Sequence, residues 1–341
     1  MYGYSHGTFD DFEKSVLKLL RRGIQRDIVL KIADPRVAAP TAGTIAVAGS
    51  AAAAANLARF ALRSSSSTLG IRNQKLLQIV RDLQPPLQRW ASATGAFEKV
   101  LRDRVFGSTL LRAPRRSSFD VVLNACELRS GSAFRFGSRE SGCWRYGSVA
   151  GNHVEVAHAV AASAAYPALL PALDEIITFT DRHGAALKRR VLLTDGGVYD
   201  NLGVTCLEPG SSAEVGYNRF TPEYIICCDA GQGILQDYPI PYLWGSRMIR
   251  AFESVFRKAQ NATQNRLHLL AATDKIKGFV LPYLGQIDER LPYPPPDLVR
   301  REEVFEYPTD FGAMSDGDID RIAKRGEQLT RTLVAYYCPE L

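Results

Sequence analysis

The segment 194–203, with the sequence Thr-Asp-Gly-Gly-Val-Tyr-Asp-Asn-Leu-Gly, constrains the fold of this chain most. It follows a short, largely apolar run at 190–193, which predicts a buried strand that ends at Asp195. The two glycines after the aspartate, Gly196 and Gly197, give the backbone access to positive φ and leave the carboxylate unshielded. Asp195 is therefore a candidate catalytic base, although Asp-Gly pairs are also among the commonest residues of structural turns.

A second segment, 224–231, repeats this design, because its apolar run also ends in an aspartate, Asp229, that a glycine follows closely. Continuous apolar runs of this length are typical of parallel strands that are buried on both faces. The two segments therefore predict an α/β sheet in which two parallel strands end at one edge. Asp229 is the alternative to Asp195 as the reactive carboxylate at that edge.

Hydrophobic spacing predicts the remaining elements. The first third of the chain is mostly helical, because apolar residues recur there at intervals of three and four. Thr8 caps the first helix, Gly23 interrupts it, and Pro35 and Pro40 end it. The serines 64–67 form a flexible connection, and the region of Ser315 and Asp316 caps the last helix. Predicted helices cover about 9–32, 44–62, 73–84, 95–106, 154–170, 244–271 and 318–337, and predicted strands cover 119–125, 133–136 and 276–281.

The helix predicted at 44–62 is about as long as a membrane span and rich in alanine. Ser50, Asn56 and Arg59 interrupt its apolar character, and alanine contributes little to membrane insertion. We therefore expect a buried or surface-lying helix rather than a transmembrane one. Peripheral contact with a membrane remains an expectation for this segment.

The charge balance limits the classes of partner. The chain of 341 residues carries 42 Lys and Arg against 36 Asp and Glu, a formal net charge of +6. Such a basic excess can attract an anionic lipid surface or a nucleic acid. Because the chain has no aromatic-and-basic strand motif and no recognition helix, we expect no nucleic-acid partner.

The cysteines and histidines show no spacing typical of a metal site or a redox site. The six cysteines contain no C-x-x-C pair, and the five histidines form no H-x-x-x-H or H-E-x-x-H set. The N-terminal residues lack the basic and then apolar layout of a signal peptide. We therefore expect a cytoplasmic protein, peripherally membrane-associated at most, that uses no metal ion and no cofactor.

Three stretches, in order, resemble the patatin-like phospholipases, in particular bacterial patatin-like acyl hydrolases. Segment 194–203 is similar to the family's D-G-G/A motif, which carries the catalytic aspartate. Segment 161–171 is similar to the family's small-residue helix that ends in a proline beside the active site. Segment 124–136 is similar to a strand pair of bacterial members. The resemblance covers roughly 1–235.

The resemblance implies a three-layer α/β/α sheet and a serine–aspartate dyad that hydrolyses lipid or phospholipid esters. Asp195 is then the general base, and Gly196 and Gly197 leave room for the substrate. The domain covers 1–235, is incomplete at its N-terminus and contains a helical insertion at about 36–110. Residues 236–341 form a helix-rich extension packed on the same domain.

The nucleophile is the unresolved part of this resemblance. The family's serine lies in G-x-S-x-G after a strand and a glycine-rich loop, and the one formal match is 3–7, centred on Ser5. No strand or glycine-rich loop precedes Ser5, so the alternative is a serine upstream of Met1. Ser50 lacks the second glycine, and Ser163 is better explained by helix packing.

Two functions therefore remain open. The first is an acyl hydrolase that uses a Ser-Asp dyad. The second is a catalytically inactive relative that binds lipid or a protein partner. Because the glycine-rich oxyanion loop is missing from the sequence given, we expect weak or absent esterase activity from it. Oligomeric state and the identity of the lipid do not follow from the sequence.

Overall fold

The computed structural model describes residues 1–5, 7–68, 87–116, 118–167, 169–210, 217–231, 240–308 and 310–341, without the side chains of 5 and 63–68. Six antiparallel strands in sequence order form a closed barrel, which β6 completes by pairing with β1. These strands are β1 (Val122–Glu127), β2 (Ser132–Gly137), β3 (Ser141–Cys143), β4 (Gly147–Val149), β5 (Leu173–Thr180) and β6 (Ala186–Asp195). Closure gives every barrel strand a partner on both sides.

The predicted three-layer α/β/α sheet is wrong. β6 runs antiparallel to both of its neighbours, β1 and β5. The strand predicted beside it, β7 (Tyr224–Ile226), lies outside the barrel and pairs in parallel with β8 (Gly278–Val280). An apolar run shows that a strand is buried, but its direction and its neighbour depend on long-range pairing, which the run does not specify.

The strand pair predicted between 119 and 136 is confirmed as a hairpin. Its register runs from Val122 opposite Gly137 to Glu127 opposite Ser132. The turn between the strands contains Gly131 at a φ of 64°, a conformation that glycine adopts without steric cost. On its other side β1 pairs with β6, with Ala125 opposite Asp195 and Glu127 opposite Leu193, so the start of β1 extends past the end of β6.

The predicted helical character of the N-terminal region is confirmed. Thr8 caps the second helix by accepting a hydrogen bond from the main-chain N–H of Asp11 at 3.2 Å, and Gly23 ends that helix with a φ of 64°. The helical stretch predicted to run to about residue 32 ends at Ala33, before Pro35, as predicted, whereas Pro40 lies inside the next helix, so the prediction that Pro40 also ends a helix is wrong. The helices are α1 (Tyr2–Ser5), α2 (Phe9–Arg22), α3 (Gln25–Ala33), α4 (Pro35–Thr44), α5 (Ser50–Thr68), α6 (Ala93–Leu101), α7 (Val156–Ser163), α8 (Gly197–Asp200), α9 (Trp244–Ala272) and α10 (Asp316–Tyr337).

A π-helical turn, Ile45–Gly49, joins α4 and α5 into one helical segment. Within this segment, Pro35–Leu62 is long and apolar enough, by length and composition alone, to cross a membrane. The most apolar stretch of this range has a mean hydropathy of 1.5, and 6% of it is buried within the protein. α5 continues to Thr68, so the flexible connection predicted at 64–67 is wrong. The helix predicted at 73–84 lies outside the described residues.

The alanine-rich helix α7 packs closely on the barrel, as its small side chains predict. Ala157, Ala159, Ala161 and Ala162 have no exposed surface. α7 contacts both β1 and β6. Short side chains permit this close approach, because no bulky group separates the helix from the strands.

A partly buried ion network fixes the orientation of α7. His158 Nδ1 lies 3.2 Å from Glu98 on α6, and Nε2 lies 3.3 Å from Glu175 on β5. Burial lowers the pKa of His158, but hydrogen bonds to Glu175 and Glu98 outweigh it and raise that pKa to about 10. The protonated imidazole therefore holds α7 between α6 and the barrel at neutral pH.

The C-terminal helix is anchored by a buried arginine. Ser315 caps α10, as predicted, by accepting a hydrogen bond from the N–H of Asp318 at 3.2 Å. Arg325 is fully buried and donates hydrogen bonds of 2.6–2.9 Å to the carbonyl oxygens of Leu284, Val299 and Gln286. The predicted division between 1–235 and 236–341 falls within 232–239, outside the described residues.

Candidate active site

The end of β6 is tied to the end of α7. The main-chain N–H of Asp195 donates to the carbonyl oxygen of Ala165 at 3.1 Å, and that of Gly196 donates to the carbonyl oxygen of Ser163 at 3.2 Å. The hydroxyl of Thr194 donates to the same Ala165 oxygen at 2.7 Å. These donors satisfy carbonyl groups that a helix end leaves without partners. They also fix the main chain that carries the Asp195 carboxylate.

The Asp195 carboxylate has one bonded oxygen and one open oxygen. Oδ1 accepts a hydrogen bond from the N–H of Gly197 at 2.7 Å, whereas Oδ2 has no hydrogen-bond partner among the described residues. Partial burial raises the pKa of Asp195 above its ordinary value of 3.8, and the Gly197 hydrogen bond opposes that shift. A fixed carboxylate with a raised pKa and an open oxygen is suited to accept a proton.

Close packing, rather than positive φ, explains the two glycines after Asp195. Gly196 has a φ of −63°, which any residue adopts, and Gly197 begins α8. A Cβ added at Gly196 would lie 2.3 Å from the carbonyl oxygen of Asn124, and one added at Gly197 would lie 2.8 Å from Asp195 Oδ1. The positive φ that the sequence predicts in this segment occurs instead at Gly203, with a value of 68°.

Asp195 lines a cavity of about 330 Å³, which we call the Asp195 cavity. Its walls are the start of β1, the end of α7 and the residues that follow β6, namely Val122, Leu123, Asn124, Ser163, Asp195, Gly196, Gly197, Asp200, Asn201, Leu202 and Gly203. Ser163 is the only serine among these described lining residues. No hydrogen bond joins its side chain to Asp195 in the described part of the chain.

Two further oxygens of this cavity are buried acceptors. Asn124 Oδ1 and Asp200 Oδ1 have no hydrogen-bond donor among the described residues. Asp200 Oδ2 accepts from the N–H and the hydroxyl of Thr205 at 3.1 and 2.5 Å, and Arg135 donates to that hydroxyl at 2.7 Å. The cavity wall therefore offers unused acceptors to the hydroxyl groups of a ligand or to water.

Helix α9 approaches Gly197, one of the residues that line the cavity, although no local sequence pattern assigns it to the site. A Cβ added at Gly197 would lie 3.6 Å from the ring of Phe256. The Phe256 ring centroid lies 6.2 Å from that of Phe252, which in turn lies 6.5 Å from that of Tyr166 after α7. These aromatic rings connect the cavity to the outer surface of α9.

The other serines and the second aspartate occupy different places. α1 lies near the start of β1, because a Cβ added at Gly3 would lie 3.6 Å from Val121, but the Ser5 side chain and His6 are outside the described residues. Ser50 begins α5 and donates to the carbonyl oxygen of Val47 at 3.1 Å, as expected of a helix residue. Asp229 is not among the residues that line the Asp195 cavity.

Comparisons with family models, with curated proteins and with solved structures find no match to this chain. The resemblance to patatin-like phospholipases therefore rests on the three stretches of sequence. Among the described residues, no group of three or more His, Cys, Asp or Glu side chains is arranged to hold a metal ion.

Proposed function

We propose that this chain is a patatin-like lipid acyl hydrolase in which Asp195 is the general base. The observation that carries the proposal is the carboxylate itself, whose Oδ1 is fixed by Gly197 and whose Oδ2 opens to the Asp195 cavity. A serine hydroxyl is a poor nucleophile until a neighbouring base accepts its proton. The support comes from these residues and not from the fold, because the barrel differs from a three-layer sheet.

In the proposed reaction, the serine oxygen attacks the ester carbonyl carbon while Asp195 Oδ2 accepts the hydroxyl proton. Collapse of the tetrahedral intermediate breaks the ester bond, and Asp195 returns the proton to the departing alcohol. Water then attacks the acyl-serine with Asp195 again as base, which releases the fatty acid and restores the serine. Gly196 and Gly197 line the cavity beside the carboxylate, and the Asn124 main chain already occupies the position that a Gly196 side chain would take.

Two serines of the chain are candidates for the nucleophile. Ser5 has the formal G-x-S-x-G pattern, and its helix lies near β1, one wall of the cavity. Ser163 lines the cavity directly, although its main-chain carbonyl already anchors Gly196 and its position favours helix packing. The experiment below separates them by identifying the serine that reacts.

The alternative function is a catalytically inactive protein that binds lipid or a protein partner. It is favoured by one observation, namely that no serine hydroxyl is hydrogen-bonded to Asp195 in the described part of the chain. In that case the cavity and its acceptor oxygens bind a ligand without turnover.

The test measures hydrolysis of p-nitrophenyl acyl esters together with covalent labelling by a fluorophosphonate, which reacts with activated serines. Asp195→Asn keeps the shape of the side chain but removes the base, so we expect both signals to fall by about 10²-fold or more. Asp229→Asn is the matched control, because Asp229 has the same local turn outside the cavity, and it should retain activity within about twofold.

Mass spectrometry of the labelled protein then identifies the nucleophile. Labelling at Ser5 that Ser5→Ala abolishes assigns that residue, and labelling at Ser163 that Ser163→Ala abolishes assigns the other. Equal activity in Asp195→Asn and the parent chain rejects Asp195 as the base. Absence of both turnover and labelling rejects Ser5 and Ser163 as nucleophiles and favours the binding function for the sequence given.

A further inference from the structure

The residues immediately before α9 expose large apolar side chains. Ile240, Tyr242 and Leu243 are all more than 70% exposed. Leaving one such side chain in water costs about 1.5–3 kcal/mol relative to burial. Three of them together indicate a surface that another apolar phase covers.

The first half of α9 continues this surface as a stripe. Trp244, Met248, Phe252 and Val255 are spaced by four, four and three residues, so they lie on one face of the helix. The helix approaches the protein through Phe256, which lies beside Gly197, and through Gln260, which donates a hydrogen bond to Asp229. Phe252, at 37% exposure, is the stripe residue nearest that side, whereas Trp244, Met248 and Val255 are each more than half exposed.

Basic side chains flank the stripe. Arg247 and Lys258 are exposed and, at 100° per residue, lie to one side of the line through Met248 and Val255. An apolar stripe bordered by basic residues is typical of helices that lie in the plane of an anionic membrane surface. The net charge of +6 adds to the attraction of such a surface.

The stripe also leads to the Asp195 cavity. Phe252 belongs to the stripe, its ring lies 6.2 Å from that of Phe256, and Phe256 borders Gly197. Tyr166 and the exposed Leu169 extend the apolar surface on the α7 side of Phe252. A bilayer that contacts the stripe is thus brought to the mouth of the candidate site.

We infer that segment 240–255 is the surface by which this protein docks on an anionic lipid bilayer, with the Asp195 cavity facing the lipid. The inference rests on the proposed function for its choice of occupant, because a lipid ester must reach the cavity from a membrane. α9 lies on the membrane in this arrangement and does not span it, since Arg250, Glu253 and Gln260 occupy its other face.

The test uses vesicle flotation and tryptophan fluorescence. The chain has three tryptophans, so Trp90→Phe with Trp144→Phe leaves Trp244 as the single reporter. Asp195→Asn is included so that the lipids are not consumed and binding is read without turnover. Vesicles of phosphatidylcholine alone are compared with vesicles of phosphatidylcholine and phosphatidylglycerol at low and high salt.

We expect binding to the phosphatidylglycerol vesicles, a blue shift of Trp244 emission, and weaker binding at high salt. Met248→Asp with Val255→Asp should lower partitioning at least about tenfold, because two stripe residues then oppose burial. Leu57→Asp with Phe60→Asp on α5, equal in number and charge of substitutions, is the comparison for the apolar helix near the N-terminus and should lower partitioning less than the α9 variant does. Circular dichroism checks that both variants fold.

Three results would overturn the inference. The first is no binding to either kind of vesicle. The second is partitioning of the Met248→Asp, Val255→Asp variant equal to that of the parent. The third is loss of binding only in the α5 variant. A dimer in sedimentation that Met248→Asp dissociates, without vesicle binding, would assign the stripe to a second copy of the chain. Vesicle binding by the Asp195→Asn protein, together with no esterase activity and no serine labelling in the parent chain, would count against the proposed function while retaining the docking surface, so the two failures are distinguishable.

Discussion

Asp195 and Asp229 share one local design and end in different environments. Each follows an apolar strand-like run, and each Oδ1 accepts a hydrogen bond from the N–H two residues later, at 2.7 Å from Gly197 and 2.8 Å from Gly231. Asp229 Oδ2 accepts a further hydrogen bond from Gln260 at 2.6 Å. Asp195 Oδ2 opens instead to the Asp195 cavity. The turn is formed by consecutive residues, whereas a side chain distant in sequence decides whether Oδ2 receives a hydrogen bond.

The main-chain surroundings of the two aspartates differ as well. The N–H of Asp195 is bonded to the end of α7, while the N–H and carbonyl of Asp229 bond to Pro282 and Leu284 beyond β8. α9 contacts both sites, through Phe256 near Gly197 and Gln260 at Asp229. One helix therefore contributes an apolar wall to the open aspartate and a donor to the satisfied one.

The largest expected effect on stability is that of Gly196→Ala. The new Cβ would lie 2.3 Å from the Asn124 carbonyl oxygen, which cannot move without disturbing β1, so the free energy of unfolding should fall by about 3 kcal/mol. Gly231→Ala is the matched change, and its Cβ would meet the Asp229 carboxylate at 3.0 Å, a side chain that can shift. We expect a loss below about 1 kcal/mol there. Urea denaturation measures both, and equal losses would contradict the difference in packing.

Gln260→Leu should have the next largest effect, because it leaves Asp229 Oδ2 without its donor. The expected loss is about 1–3 kcal/mol in the free energy of unfolding, measured by urea denaturation. Gln260→Glu places two carboxyl groups together, which raises their pKa in the folded state. Its stability should therefore decrease as the pH rises from acidic to neutral. Gln264→Leu on the same helix is the control and should change little, and a loss equal to that of Gln260→Leu would contradict the assignment.

Asp195→Asn should stabilise the protein slightly at neutral pH. Because the pKa of Asp195 is raised in the folded state, that state binds more protons than the unfolded chain between 3.8 and the raised pKa. Its contribution to stability is therefore lost as the pH rises through this window. Removing the charge should raise the melting temperature by about 1–2 °C at neutral pH. At a pH below the ordinary pKa of 3.8, the substitution should leave the melting temperature unchanged.

The same substitution at the other site gives the contrast. Asp229→Asn should lower the melting temperature at neutral pH, because the charged acceptor of the Gln260 hydrogen bond is lost. Melting curves at acidic and neutral pH distinguish the two cases. The comparison fails if both substitutions shift the melting temperature in the same direction.

Ser163→Ala should have the smallest effect on stability. Its side chain forms no hydrogen bond in the described part of the chain, and the carbonyl that anchors Gly196 belongs to the main chain. We expect a change within about 0.5 kcal/mol in the free energy of unfolding. A larger loss by urea denaturation would show that the hydroxyl itself supports the end of β6.

Elements that depend on near neighbours could be predicted from the sequence. The Thr8 and Ser315 caps, the hairpin of β1 and β2 and the alanine-rich helix α7 were all predicted, because each is specified within a few residues. The fold class was not, since β6 and β7 have similar apolar runs but belong to different sheets with opposite pairing. Pairing between distant strands depends on which surfaces meet, and a single strand does not encode that choice.

The sequence by itself determined that Asp195 ends a buried strand and that two small residues follow it. Only the tertiary structure decided why those residues are glycines, since the Asn124 carbonyl comes within reach of Gly196 from another strand. It also decided that Asp229 receives a donor from Gln260 while Asp195 Oδ2 does not receive one among the described residues. The physical reason is that turn geometry is a property of a few consecutive residues, whereas burial and hydrogen-bond satisfaction depend on groups far apart in the chain.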